Sequence, residues 1–104
     1  MRIDEGALVV VHCRAPKEKI WGLLLRLDTA GVTVRGFDIN SVEDWLRQEI
    51  RGAEPVIGPS TVFLPTHRLE RISLDESTGA VRSVADRFRE ACGRDVCEAL
   101  VAQR

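Results

Sequence analysis

Tyrosine is absent from this 104-residue chain, and aromatic residues make up only 5% of it. Single-strand nucleic-acid binders use aromatic faces as stacking platforms, and few are available here. Cysteine is scarce too: Cys13, Cys92 and Cys97 are the complete set. An odd number without CxxC spacing argues against a secreted disulfide framework and is expected of reduced thiols in a cytoplasmic protein. There is no long apolar run. The stretch "ALVVV" is followed at once by His12 and Arg14, which is too short for a signal segment or a membrane span. The net charge of -1 removes any global attraction to nucleic acid or to an acidic membrane surface, so such binding would need a local patch. Repeats, low-complexity tracts and glycine-rich phosphate loops are also missing.

What is present is an ordinary globular mixture, 44% hydrophobic and 30% charged, of a length that makes one domain, 1–104, the natural count. "ALVVVHCR" is rich in β-branched residues and reads as a strand over 7–14. Val32 and Val34 alternate with Thr33 and Arg35, which predicts a strand over 32–39. "NSVEDWLRQEIRG" is the clearest helix, 42–51. Ser41 is its expected N-cap, Glu43 and Asp44 suit its positive end, and Gly52 stops it. Val42, Trp45, Leu46 and Ile50 form its apolar stripe. "TVFLPTHRLERISL" is strand material interrupted at Pro65, which predicts strands at 61–64 and 68–74 joined by a tight turn at 65–67. A last helical segment, 84–101, starts after Ser83 as N-cap. Val84, Phe88 and Ala91 lie on its apolar face, Gly93 breaks or bends it, and Asp95 is a second cap.

One stretch, "IWGLLLRLDTAG" at 20–31, fits two templates. Ile20, Leu23, Leu24 and Leu27 have helical spacing, while Trp21, Leu23, Leu25 and Leu27 alternate as in a strand. A helix over 17–30 gives an α+β sandwich of ferredoxin or ACT type, a small-ligand regulatory architecture. It would carry Gly22 in its interior at a cost of about 1 kcal/mol relative to Ala. A strand over 20–28 gives instead a mainly β protein, a small SH3-like five-stranded barrel with a helical insertion at 41–52 and a helical C-terminal segment, 83–104. Gly22 then serves as a bend, and Gly31 closes the "DTAG" hairpin as a left-handed residue.

The run "GLLLRLDTAGV" is similar to the first signature of the Sm/LSm superfamily, including its Hfq-like members, with Gly22, Leu24, Leu27 and Asp28 in register. "VFLPTHRLERISL" is similar to the second signature, with His67 at the motif histidine and Leu69 and Ile72 at apolar positions. Thr29, Ala30, Val32 and Thr66 depart from the family's residues. The resemblance favours the barrel over the sandwich. It implies a homo-oligomer, a ring in this superfamily, in which the fourth strand of one subunit pairs with the fifth of the next. Thr61, Val62, Phe63 and Leu64 would form one exposed edge. It further implies RNA contacts from His67, Arg68, Arg71 and Thr29 at and near the tight turn, with arginine holding phosphate and the imidazole bonding or stacking on a base. The alternative use of the same residues is a solvated strand whose arginines pair with Glu70 and nearby acids.

No enzyme is expected. Strand alternation sends His12 and Cys13 to opposite faces, so they form no nucleophile–base dyad. Cys92 and Cys97 are five apart, and His12 and His67 add no paired ligand spacing, so neither a metal nor a cofactor is expected. The basic residues of 82–104 are interleaved with acids, as on a solvated helix face. Besides RNA, the partner that fits is a protein held by the 42–51 helix or the C-terminal helices of a structural scaffold.

Overall fold

The disputed stretch is a strand. In the computed structural model, which describes residues 2–52 and 54–102, Glu18–Asp28 is the longest strand of the molecule. The ferredoxin/ACT-like arrangement, which needs a helix there, is therefore not formed. In chain order the elements are β1 (Leu8–Cys13), β2 (Glu18–Asp28), β3 (Gly31–Asp38), α1 (Val42–Arg51), β4 (Ser60–Pro65), β5 (Leu69–Leu74), α2 (Val84–Cys92) and α3 (Val96–Ala102). The strands form one antiparallel sheet in the order β4-β3-β2-β1-β5. The sheet is open: β4 and β5 stand at its two ends and share no ladder among the described residues.

Both faces of the sheet are buried, each in its own way. Val9, Val11, Cys13, Ile20, Leu24, Val32, Val34 and Leu64 pack together on the inner face. Val62 from one end strand and Leu69, Ile72 and Leu74 from the other close over the same cluster. That β4 and β5, at opposite ends of the sheet, contribute to one cluster with no helix residue in it means that the sheet curls. The outer face is covered over its middle by helices. Trp21, Leu23 and Phe37 from the sheet pack with Val42, Trp45 and Leu46 of α1, Phe88 of α2, and Val96, Ala99 and Leu100 of α3. The rings of Phe37 and Trp45 lie 4.8 Å apart and those of Trp45 and Phe88 5.4 Å, within the range of favourable aromatic packing. The Trp45 indole N–H has no hydrogen-bond partner among the described residues.

The curl has an identifiable source. Gly22 of β2 and Gly36 of β3 are directly opposite each other in the ladder. A Cβ on Gly22 would run into the Arg35 carbonyl, and one on Gly36 into the Trp21 carbonyl. The two backbones thus approach where every other residue type would hold them apart. A bulge between Leu24 and Arg26 bends β2 once more, past the glycine pair.

The helices are fastened to the sheet by Asp75, just after β5. Its carboxylate accepts from the Trp21 indole N–H at 3.1 Å and from the backbone N–H groups of Val84 and Ala85 at the start of α2. Ser83 caps the same helix as expected, its hydroxyl accepting from Asp86 N–H at 3.0 Å. Arg87 of α2 makes a two-pronged bridge to Glu43 of α1. That bond holds the Glu43 carboxyl below the usual range, with the Arg87 charge adding to it.

Several local expectations are corrected. The segment 84–101 is two helices, because Gly93 adopts a left-handed conformation at the end of α2 and the chain restarts at Val96. Asp95 does cap that second helix, accepting from Cys97 N–H. The last residues of the expected C-terminal segment, 103 and 104, lie outside the described residues. Ala91 is exposed and Ile50 is about half exposed, so neither belongs to a core. Ser41 makes no side-chain cap; a single 3-10 turn precedes α1, and Asp38 caps that turn instead. Gly31 has a positive φ of 157°, outside the αL region expected of it but still unfavourable for a side chain. A side chain there is excluded because its Cβ would strike the Leu64 carbonyl across the β3–β4 ladder.

Replacing Gly36 or Gly22 by Ala forces an extra carbon into this contact. Overpacking of this kind costs about 1–3 kcal/mol. Urea unfolding is expected to show a loss of that size for each variant, whereas Gly79→Ala, in open space at a positive φ, is expected to lose less.

Candidate nucleic-acid interface

The β2–β3 hairpin turns through Thr29 and Ala30. Asp28 holds that turn: its carboxylate accepts from Ala30 N–H at 2.9 Å and Gly31 N–H at 3.3 Å, and pairs with Arg26 at 2.9 Å. The Ala30 bond is the main reason that the Asp28 carboxyl sits below its ordinary value. Far along the chain, Pro65 ends β4 opposite Gly31, and Thr66–Arg68 make a single 3-10 turn. Thr66 joins the two features. Its hydroxyl donates to the Thr29 carbonyl at 2.7 Å and its N–H to the Ala30 carbonyl at 2.9 Å. The hairpin tip and the 66–68 turn are therefore one ledge, with Thr29, Ala30 and His67 exposed on it.

Arg68 is used differently from the sequence expectation. Its guanidinium donates to the Arg14 carbonyl at 3.2 Å and the Pro16 carbonyl at 2.9 Å, and lies 3.7 Å from Glu18. Its side chain is only 21% exposed. In return Arg14 donates its N–H to the Arg68 carbonyl and its Nε–H to the His67 carbonyl. Arg68 thus stitches the turn between β1 and β2 to the turn between β4 and β5. Arg71 is exposed but stands on the sheet's outer face, across from His12. The expected set therefore separates: Thr29 and His67 share the ledge, Arg68 is committed beneath it, and Arg71 belongs to a second patch.

The expected edge is divided as well. β4 pairs with β3 along one side, and its other side has no strand partner among the described residues. Leu64 is buried and Val62 half-buried, both turned to the inner core. The Thr61 hydroxyl accepts from Arg35 at 3.0 Å, and Phe63 is 54% exposed. The edge therefore offers its unpaired backbone and the Phe63 ring. No residue of β4 is charged, so protection against strand addition is left to the strand's shortness and to Pro65 at its end.

His12 and Cys13 do point to opposite faces, Cys13 into the inner core and His12 outward beside Ser73. Burial pushes the Cys13 and Cys97 thiols up, away from the thiolate form. Among the described residues no group of three or more His, Cys, Asp or Glu side chains is arranged to hold a metal ion, and no helix is long and apolar enough to cross a membrane. Sequence reasoning missed that Lys19 stands beside His12. The spacing of basic residues along β1, β2 and β5 was visible, but the register that aligns them was not.

Compared with known proteins, the chain matches no family model, no curated protein and no solved structure.

Since Arg68 acts through two carbonyl bonds, Arg68→Ala is expected to destabilise the fold by about 1–3 kcal/mol, the usual worth of bonds to a charged group. Arg68→Lys is expected to recover only part of that, because an ammonium cannot span both carbonyls as the fork does. Chemical denaturation of the variants checks both outcomes.

Proposed function

We propose that this chain is a Sm-type β-module that associates with copies of itself through strand edges and binds single-stranded RNA at the ledge. The observation that carries this reading is the pair of bonds from Thr66 to Thr29 and Ala30. They bring together the two segments that resemble the Sm/LSm signatures, far apart in the chain, at one exposed site. The strand order, with β4 and β5 left as free ends of a curled sheet, is what an SH3-type barrel of this superfamily would require.

In this reading His67 is the residue that touches RNA most directly. Its ring is exposed, and its backbone is fixed by Arg14. An imidazole so placed can hydrogen-bond or stack on an unpaired base. Thr29 and Ala30 shape the neighbouring wall, and Arg68 sets the height of the turn. With few aromatic side chains on the ledge, base selectivity is weak.

RNA binding is tested by fluorescence anisotropy with short U-rich and A-rich oligomers. Affinity is expected to fall as salt rises. His67→Ala is expected to weaken it about tenfold, the scale of one stacked base. Absence of binding at low salt would remove the RNA reading.

A second reading, a scaffold without RNA, draws on the apolar side chains Leu25, Phe63 and Val101, each exposed by a third or more. Sedimentation velocity addresses the self-association that both readings share. The wild-type chain is expected to sediment as an oligomer at micromolar concentration, and Phe63→Glu, which puts a charge on the edge, is expected to shift it toward monomer.

A further inference from the structure

We propose that Arg71, His12 and Lys19 form a phosphate-binding site on the outer face of β5, β1 and β2. The register carries the assignment. His12 lies directly opposite Arg71 on one side and directly opposite Lys19 on the other. The three residues thus form a row across adjacent strands. Side chains so opposed stand with their Cβ atoms about 5 Å apart, so protonation of His12 would set three like charges in line, which repel.

Among the described residues no ion pair offsets the charges of this row. Arg26, Arg47 and Arg87 each have a carboxylate within 3 Å. Neither Lys19 nor Arg71 has an ion-pair partner among the described residues. The row lines a depression of about 190 Å³, shared with Lys17, Cys13, Glu18 and Glu70. Glu18 turns toward Arg68. Glu70 is the extra residue at the β5 irregularity, where the register passes from Arg71 opposite His12 to Leu69 opposite Cys13. Glu70 is thus the one acid on this patch not already engaged, set against Lys17, Lys19 and Arg71.

His12 itself is oriented by Ser73, whose hydroxyl lies 2.9 Å from Nε2. Burial first, then Arg71 and Lys19, hold the imidazole below its ordinary value, with Glu70 opposing them weakly. The stability tied to the neutral ring is therefore present above about pH 6.5 and is lost as pH falls through the lowered value. A bound phosphate reverses the local field. It takes the Arg71 fork in two parallel bonds, the Lys19 ammonium as a point charge, and a protonated His12 as a further donor. The site stands apart from the ledge and does not rest on the RNA reading. Its ligand is a phosphate group, either the terminal phosphate of a nucleotide or the diester of a strand.

The test is a pH titration of the His12 ring by NMR, without ligand and with inorganic phosphate, a nucleoside monophosphate or a short oligonucleotide lacking terminal phosphate. The expected result is a His12 pKa below the ordinary histidine value of 6.5 in the free protein and a clear upward shift with phosphate. The double variant Lys19→Gln/Arg71→Gln is expected to bind phosphate at least tenfold more weakly and to melt no lower than the wild type, since it removes a repulsion. Arg89→Gln, on α2, is expected to change neither. Response to the monophosphate alone assigns the site to a terminal phosphate, and an equal response to the oligonucleotide assigns it to a strand. A His12 ring that does not respond to any of the three ligands, or a double variant that binds as well as the wild type, overturns the proposal.

Discussion

The fold depends on the close approach of Gly22 and Gly36. Two strands joined in a ladder normally keep their side chains out of each other's backbone. Here one residue from each strand gives up its side chain at the same rung, and the Arg35 and Trp21 carbonyls fill the space that the Cβ atoms of Gly22 and Gly36 would need. The sheet can then curl tightly enough for its end strands to cover a common core. Without the curl, Val9, Val11, Val32 and Val34 would face water, since no helix among the described residues packs on that side. Burying such side chains is worth about 1.5–3 kcal/mol each, which is most of what a chain this size has to hold itself together.

The outer face is solved by a different device. Trp21 stands on the sheet, and Asp75 accepts its indole N–H while also holding the first turn of α2. One carboxylate thereby sets the position of the helical layer on the strands. From there the aromatic contacts of Phe37, Trp45 and Phe88 extend the layer across α1 and α2. Arg94, 5.2 Å from the Phe88 ring centre, closes the outside of this stack. Lys19 and Arg71 stay exposed beside this layer, with His12 half-buried between them.

Parts of the candidate interface were legible and parts were not. His67 and Thr29 could be singled out from residue type and from the resemblance of two short runs. Their union at one ledge depends on Thr66, whose hydroxyl carries no special pattern in the chain. Arg68 looked like a surface arginine beside a turn. It became a structural residue because the turn after β1 comes to lie under it, bringing the Arg14 and Pro16 carbonyls within reach. The Arg71 row has the same history: three basic residues at unrelated positions gain meaning only when two ladders put them side by side.

By itself, the sequence determined what local chemistry can determine. A run of β-branched residues specified β1 and their alternation β3, the apolar stripe and Gly52 specified α1, and Ser83 specified where α2 begins. It also determined that His12 and Cys13 part company, because alternation along a strand needs no partner. The tertiary structure decided the rest. Residues 20–31 fit a helix and a strand equally well by period, and pairing of 18–28 with β1 and β3 settled the matter in favour of a strand. Gly93 could bend a helix or end one, and the packing of α3 against the sheet decided that it ends α2. The curl, the ledge and the basic row all arise from residues distant in the chain. Their positions follow from ladder register, which no short stretch of sequence contains.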